Sequence, residues 1–95
     1  MMIRSFLPVG QGAFYCEQFG GFAETERVNI IYDCGSSTNV KLVEEQIKNN
    51  FQKNEIIHAV FISHLDNDHI NGIPFLLKYC KVKKIFFPLL TESNA

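Results

Sequence analysis

Apolar residues in this chain recur with two periods, and the change of period divides it into elements. Short runs rich in β-branched and aromatic residues read as strands at 3–7, 13–19, 28–32, 56–62 and 83–90. Between the third and fourth runs the period lengthens to that of a helix. Val40, Val43, Ile47 and Phe51 fall on one face, Glu44, Glu45 and Lys48 on the other, and Ser36, Ser37, Thr38 and Asn39 offer N-caps ahead of them. A second helix is expected from Asn71 onward on Ile73, Leu76, Leu77 and Cys80, with Pro74 in the first turn, where a missing N–H does no harm. Pro8 stops the first strand and Val9-Gly10-Gln11-Gly12 turns the chain; Gly20-Gly21 closes the second strand. A polar connection follows at 24–27, and a tail at 91–95.

The chemistry concentrates in one stretch. Directly after the apolar run 56–62 come Ser63-His64-Leu65-Asp66-Asn67-Asp68-His69, with four candidate metal ligands: His64, Asp66, Asp68 and His69. Charged groups delivered at the carboxyl end of a buried strand lie where sheets flanked by helices usually place their ligand sites. On an extended backbone His64 and Asp66 leave on the same side and can converge, whereas the neighbours Asp68 and His69 diverge, which suits ligation of two ions better than one. Imidazole favours zinc, copper, iron and nickel; carboxylate oxygen shifts the balance towards manganese or magnesium. The plainer alternative is a polar loop that caps a helix, with Asp68 near its N-terminus.

His64-x-Asp66-x-Asp68-His69 resembles the His-x-His-x-Asp-His signature of the metallo-β-lactamase fold superfamily, with aspartate in place of the second histidine. In that respect it is similar to the competence-protein (DNA-internalisation) branch. Val9-Gly10-Gln11-Gly12 and Ile30-Ile31-Tyr32-Asp33-Cys34-Gly35 resemble two further motifs of that branch, in the same order. The chain departs from the pattern at Ala13, where the family places an acidic residue after the turn, and at Ile70-Asn71-Gly72, where it usually carries two glycines.

The resemblance implies an α/β fold: the N-terminal half of a four-layer αββα sandwich over 1–95, a mixed sheet with two helices on one face. It implies a metal-dependent hydrolase, with a nucleic-acid phosphodiester as the first substrate to consider. Two zinc ions, or manganese or magnesium, would be held by His64 and Asp66 and by Asp68 and His69. Asp66 and Asp68 are then the candidate catalytic carboxylates, as acceptors of a water's proton. Asp33 is expected behind the ligands, orienting a histidine or the loop. As a plain residue it would cap a helix or shape a turn before Gly35 and Ser36. The two glycines of Val9-Gly10-Gln11-Gly12 serve either close passage past the metal loop or simple hairpin chemistry.

Composition narrows the picture only modestly. The 95 residues suffice for one domain or part of one, and 46% hydrophobic with 20% charged residues is an ordinary soluble balance. A net charge of −1 gives no electrostatic case for nucleic-acid binding by the chain as a whole. Lys78, Lys81, Lys83 and Lys84 read as a solvated helix end. Cys16, Cys34 and Cys80 are odd in number and lack Cys-x-x-Cys spacing, which argues for reduced, buried thiols and a cytoplasmic protein. No membrane is expected, since no apolar run approaches spanning length. His58, within the fourth strand, reads as structural.

Two other functions remain open. The family completes its site with later histidines and a bridging aspartate, none of which follows His69 here, so the alternative reading is a non-catalytic half-domain, a subunit or interaction module. The same motif also fits hydrolysis of an ester, thioester or lactam. A sheet with nothing opposite its second face would expose apolar residues drawn from Phe14, Ile30, Val60 and Ile62 or their neighbours in the opposite parity. A homo-oligomer, or a chain carrying the C-terminal half of the domain, is therefore expected as partner.

Overall fold

A computed structural model describes residues 2–20 and 27–88. Strands β1 (Met2–Phe6), β2 (Gly12–Gly20) and β3 (Arg27–Ser36) form an antiparallel meander. Helix α1 (Val40–Asn50) then leads to β4 (Ile56–Ile57) and β5 (Ala59–Phe61), the short helix α2 (Asn67–Ile70), helix α3 (Ile73–Tyr79), β6 (Lys81–Val82) and β7 (Ile85–Phe86). The five-stranded sheet has the order β1-β2-β3-β5-β7, in which β3, β5 and β7 are parallel. The fold is a mixed sheet with two main helices, α1 and α3, on one face.

Helix α1 forms where its spacing and caps agree. The Asn39 side chain accepts a hydrogen bond from the Lys41 amide at 2.9 Å, and the Phe51 amide donates to Ile47 at the other end. Its buried Val43 and Ile47 join Leu76 of α3 in a core with Phe14, Cys16, Ile31 and Val60 from the sheet. Each such side chain, fully buried, contributes about 1.5–3 kcal/mol. All three cysteines are free and buried.

The opposite face carries one aromatic ring from each strand. Phe6, Tyr15, Tyr32, Phe61 and Phe86 stand in register across β1, β2, β3, β5 and β7, with successive centroids 4.6, 5.6, 5.2 and 4.8 Å apart. Phe6 is 86% exposed and Phe86 45%. The expected set mixes the two faces: Phe14, Val60 and Ile62 face the helices, whereas Ile30 lies on the outward side with Tyr32, and its neighbour Ile31 is in the core.

Several boundaries differ from the sequence expectation, each for a local reason. The third strand continues past Tyr32 to Ser36 through a β-bulge. Tyr15 pairs with Tyr32 and Phe14 with Cys34, so Asp33 is the extra residue, with φ at +60°. The run 56–62 is two strands, because side chains interrupt the ladder. The His58 ring takes the Asn29 amide proton through Nδ1 at 3.2 Å, and Asn29 Nδ2 donates to the Ile56 carbonyl at 2.8 Å. Chain β4 consequently pairs with β6, and only β5 continues beside β3. The expected last strand is likewise divided into β6 and β7; its residues 89–90, residues 24–26 of the polar connection and the tail lie outside the described residues, and Arg27 opens β3. The second helix starts earlier than Asn71, as the single turn α2, and restarts at Ile73.

Sequence patterning gives no hint of a polar network at the far end of the sheet. Buried Glu55 receives Arg27 through Nε and Nη2 and also Asn29 Nδ2, and Gln18 Nε2 donates on to Asn29 Oδ1. Among the described residues no helix is long and apolar enough to cross a membrane.

Candidate metal centre

The parallel pairing of β3 with β5 ends at Tyr32 opposite Phe61, and the residues just beyond that pair in each segment make the site. Alternation puts Asp33 on the same side as Ile31, and the bulge keeps Cys34, the partner of Phe14, on that side as well. Left-handed backbone is rare for a side-chain-bearing residue, though aspartate tolerates it better than most. Asp33 grips the loop after β5 by both oxygens: Oδ1 accepts from the Ser63 amide at 2.8 Å and Oδ2 from the Ser63 hydroxyl at 2.6 Å. The Ser63 hydroxyl also lies 3.0 Å from His64 Nδ1.

Helix α2 and Asp66, the residue that caps it, carry the remaining donors. Donor atoms of Asp66, Asp68 and His69 lie within 4.8 Å of one another. Asp68 and His69, expected to diverge as neighbours on extended backbone, converge instead, with His69 Nε2 3.8 Å from Asp68 Oδ1. The helical turn is the reason, since successive side chains there are separated by about 100° rather than 180°. His64 lies outside that trio. Its ring is exposed, and its centroid is 5.0 Å from that of His69. The trio therefore cuts across the expected pairing of His64 with Asp66 and Asp68 with His69.

Two glycines let α2 lie this close. A Cβ on Gly35 would stand 2.6 Å from the Asp68 carbonyl carbon and oxygen, and one on Gly72 would press on Val43 and on the Cys34 carbonyl at 2.8 Å. The turn at Val9-Gly10-Gln11-Gly12 packs against the end of β3 and the residues after it. Gly12 has φ at +150° over the Gly35 carbonyl and Ser36, the Gln11 carbonyl accepts from the Ser37 amide at 2.6 Å, and the Gln11 amide donates to Thr38 Oγ1 at 2.8 Å.

The donor set suits a divalent ion of the zinc or manganese type, one imidazole with two carboxylates. His69 Nδ1 adds a second observation. It is buried and 3.1 Å from Asp33 Oδ2, yet outside hydrogen-bond geometry and without any other partner. A histidine held by a carboxylate behind it and open at its other nitrogen is the usual arrangement of a metal ligand.

The sequence profile of the Metallo-beta-lactamase superfamily matches residues 18–92. The chain belongs to that superfamily. Within the metallo-β-lactamase superfamily it is 39% identical over 57 residues to Ribonuclease Z of Ignicoccus hospitalis, covering 60% of this chain and 17% of that protein. It is 34% identical over 74 residues to Ribonuclease Z of Sulfolobus acidocaldarius (77% and 24%), and 26% identical over 110 residues to Ribonuclease J of Mycoplasma genitalium (97% and 19%). Among solved structures, a metallo-β-lactamase of Cronobacter sakazakii superposes with a TM-score of 0.52 at 20% identity, covering 92% of this chain and 31% of that one. A metallo-β-lactamase solved with mercaptoacetic acid gives 0.54 at 17% identity, covering 85% and 29%. The chain thus spans about a quarter or less of the curated relatives and under a third of these structures. Members of the superfamily bind metal ions, in keeping with the Asp66, Asp68 and His69 trio.

Sequence reasoning overlooked Ser63 and Asn71. Asn71 stands where a second glycine would be usual, and its side-chain amide closes on the backbone of Ser36. Ser63 was readable only as the residue before His64. The lysines Lys78, Lys81, Lys83 and Lys84 are exposed and away from the trio.

Proposed function

We propose that the chain carries the first part of a metal-dependent hydrolase site, 1–95 being the N-terminal portion of its domain, with nucleic-acid phosphodiesters as substrate. The observation that carries this is the convergence of Asp66, Asp68 and His69 at the ends of β3 and β5, in a chain 34–39% identical to proteins named Ribonuclease Z. Those names favour nucleic acid over an ester, thioester or lactam. Among nucleic acids they favour RNA.

Asp66, Asp68 and His69 would hold the ion, zinc in the first instance, with His64 beside them. A divalent ion there supplies Lewis acidity to the phosphoryl oxygens. Asp33 fixes the loop through Ser63 and backs His69. Asp66, the exposed carboxylate of the trio, is placed to take a proton from an attacking water. Three buried thiols support a reducing compartment, the cytoplasm.

The aromatic row supports a partner. A contiguous apolar sheet face is larger than soluble monomers usually leave open. A second copy of this chain, or a chain carrying the other part of the domain, would cover it. The half-domain reading, a subunit without activity of its own, rests on the same face.

The test combines binding and turnover. Zinc titration should show saturable binding that Asp68→Asn and His69→Ala abolish. The zinc-loaded protein, with its covering partner present, should cleave a labelled single-stranded RNA and leave p-nitrophenyl acetate and a β-lactam intact. Preferred turnover of either small substrate would overturn the nucleic-acid assignment, and unchanged zinc binding in both variants would overturn the site.

A further inference from the structure

We propose that Ser63 is a positioning residue of this centre, one hydroxyl that sets the ring of His64 so that Nε2 is the atom offered to an ion; this rests on the metal-site reading above.

The inference follows from counting protons. A serine hydroxyl has one hydrogen to donate and two lone pairs to accept with. Ser63 Oγ has two polar neighbours, Asp33 Oδ2 at 2.6 Å and His64 Nδ1 at 3.0 Å. An ionised carboxylate can only accept, and the shorter contact has the length of a charge-assisted O–H···O bond. The Ser63 hydrogen therefore points to Asp33. Towards His64 the hydroxyl can then only accept, so the hydrogen between them belongs to Nδ1 of the ring. A neutral imidazole with its hydrogen on Nδ1 keeps its lone pair on Nε2, the form a metal requires from that atom.

The same carboxylate serves the other histidine of the motif. Asp33 Oδ2, which accepts the Ser63 hydroxyl, lies 3.1 Å from His69 Nδ1. Asp33 Oδ1 meanwhile holds the Ser63 amide, which fixes the serine relative to β3. Ser63 thus links His64 to the group that backs His69, and both rings have the δ side turned inward. His64 is exposed and has no other side-chain hydrogen bond among the described residues, so its ring orientation depends on this contact. Threonine would keep the hydroxyl; alanine would remove it and leave the backbone bond to Asp33.

The experiment is two-bond proton–nitrogen correlation spectroscopy on the full, metal-free, nitrogen-labelled chain, joined to zinc competition titrations of wild type, Ser63→Ala and Ser63→Thr. In the wild type the His64 signals should be those of the Nδ1–H form. Ser63→Ala should release the ring to the Nε2–H form or a mixture and weaken zinc binding about 10–100-fold, the usual effect of losing such a support. Ser63→Thr should restore both. The wild-type spectrum is decisive without any substitution: an Nε2–H ring overturns the proposal, as does an unchanged tautomer and affinity in Ser63→Ala. Failure of the metal reading would look different. A tether present in the spectra with no zinc bound by any variant would remove the role assigned to Ser63 while demonstrating its hold on the ring.

Discussion

Asn71 pairs with Ser36 through both ends of its amide, Oδ1 accepting from the Ser36 N–H at 2.9 Å and Nδ2 donating to the Ser36 carbonyl at 2.7 Å. The side chain thereby stands in for a strand and ties the end of α2 to the end of β3. Asn71→Ala leaves both backbone groups of Ser36 without that partner. Unsatisfied groups of this kind cost about 1–3 kcal/mol each. Urea unfolding should show a lower midpoint for Asn71→Ala, while Asn49→Ala, on an exposed position of α1, stays within about 0.5 kcal/mol of wild type. Equal midpoints would reduce the clip to a surface contact.

Asp33 should matter for metal although it is not one of the trio, because its Oδ2 lies 3.1 Å from His69 Nδ1. Asp33→Ala removes the acceptor for Ser63 and the carboxylate behind His69, and zinc affinity should fall about 10–100-fold. Glu44→Ala on α1 should leave it unchanged. Matching affinities in a competition titration would mean that Asp33 only shapes the bulge.

Gly35 and Gly72 separate two effects of crowding. Either alanine overpacks and should cost about 1–3 kcal/mol. Gly35→Ala pushes on the backbone of Asp68, so it should also weaken zinc binding, whereas Gly72→Ala presses on Val43 and Cys34. If Gly72→Ala weakened zinc binding more than Gly35→Ala, the close approach of α2 to β3 would not be what sets the site.

The buried thiols give a pH dependence of defined sign. Burial pushes Cys16 and Cys80 from an ordinary 9.0 up to about 11, and drives Cys34 up as well. Between those values the folded chain holds protons that the unfolded chain has released. Stability is therefore full below pH 9 and declines as pH rises towards 11. Urea midpoints at pH 7, 9 and 10.5 should fall in that order, and Cys16→Ala should flatten the decline. A midpoint independent of pH over this range would contradict it.

The aromatic face predicts association. Light scattering at micromolar concentration should give a mass above that of one chain, and Phe86→Glu, in the exposed row, should reduce it. A monomeric wild type would show that the face tolerates water.

The sequence by itself determined the elements whose pattern is local. Val40, Val43 and Ile47 recur at helical spacing behind a capping Asn39, and α1 forms over Val40–Asn50. The apolar runs carried β2 and most of β3, and the motif around His64 and His69 marked the family and the donor-bearing loop. Tertiary structure decided what depended on partners distant in sequence. The break at His58 arises because Asn29, 29 residues before it, supplies side-chain and backbone partners. The bulge at Asp33 exists only in the register of β2 against β3, and it decides that Cys34, opposite Phe14, turns into the core. Likewise, extended-chain geometry would part Asp68 from His69, and the turn of α2, admitted by Gly35, brings them together. Periodicity records which side of an element is apolar. It cannot record a register, a bulge or a close approach, because each is set by the energy of contacts between segments that the sequence does not place side by side.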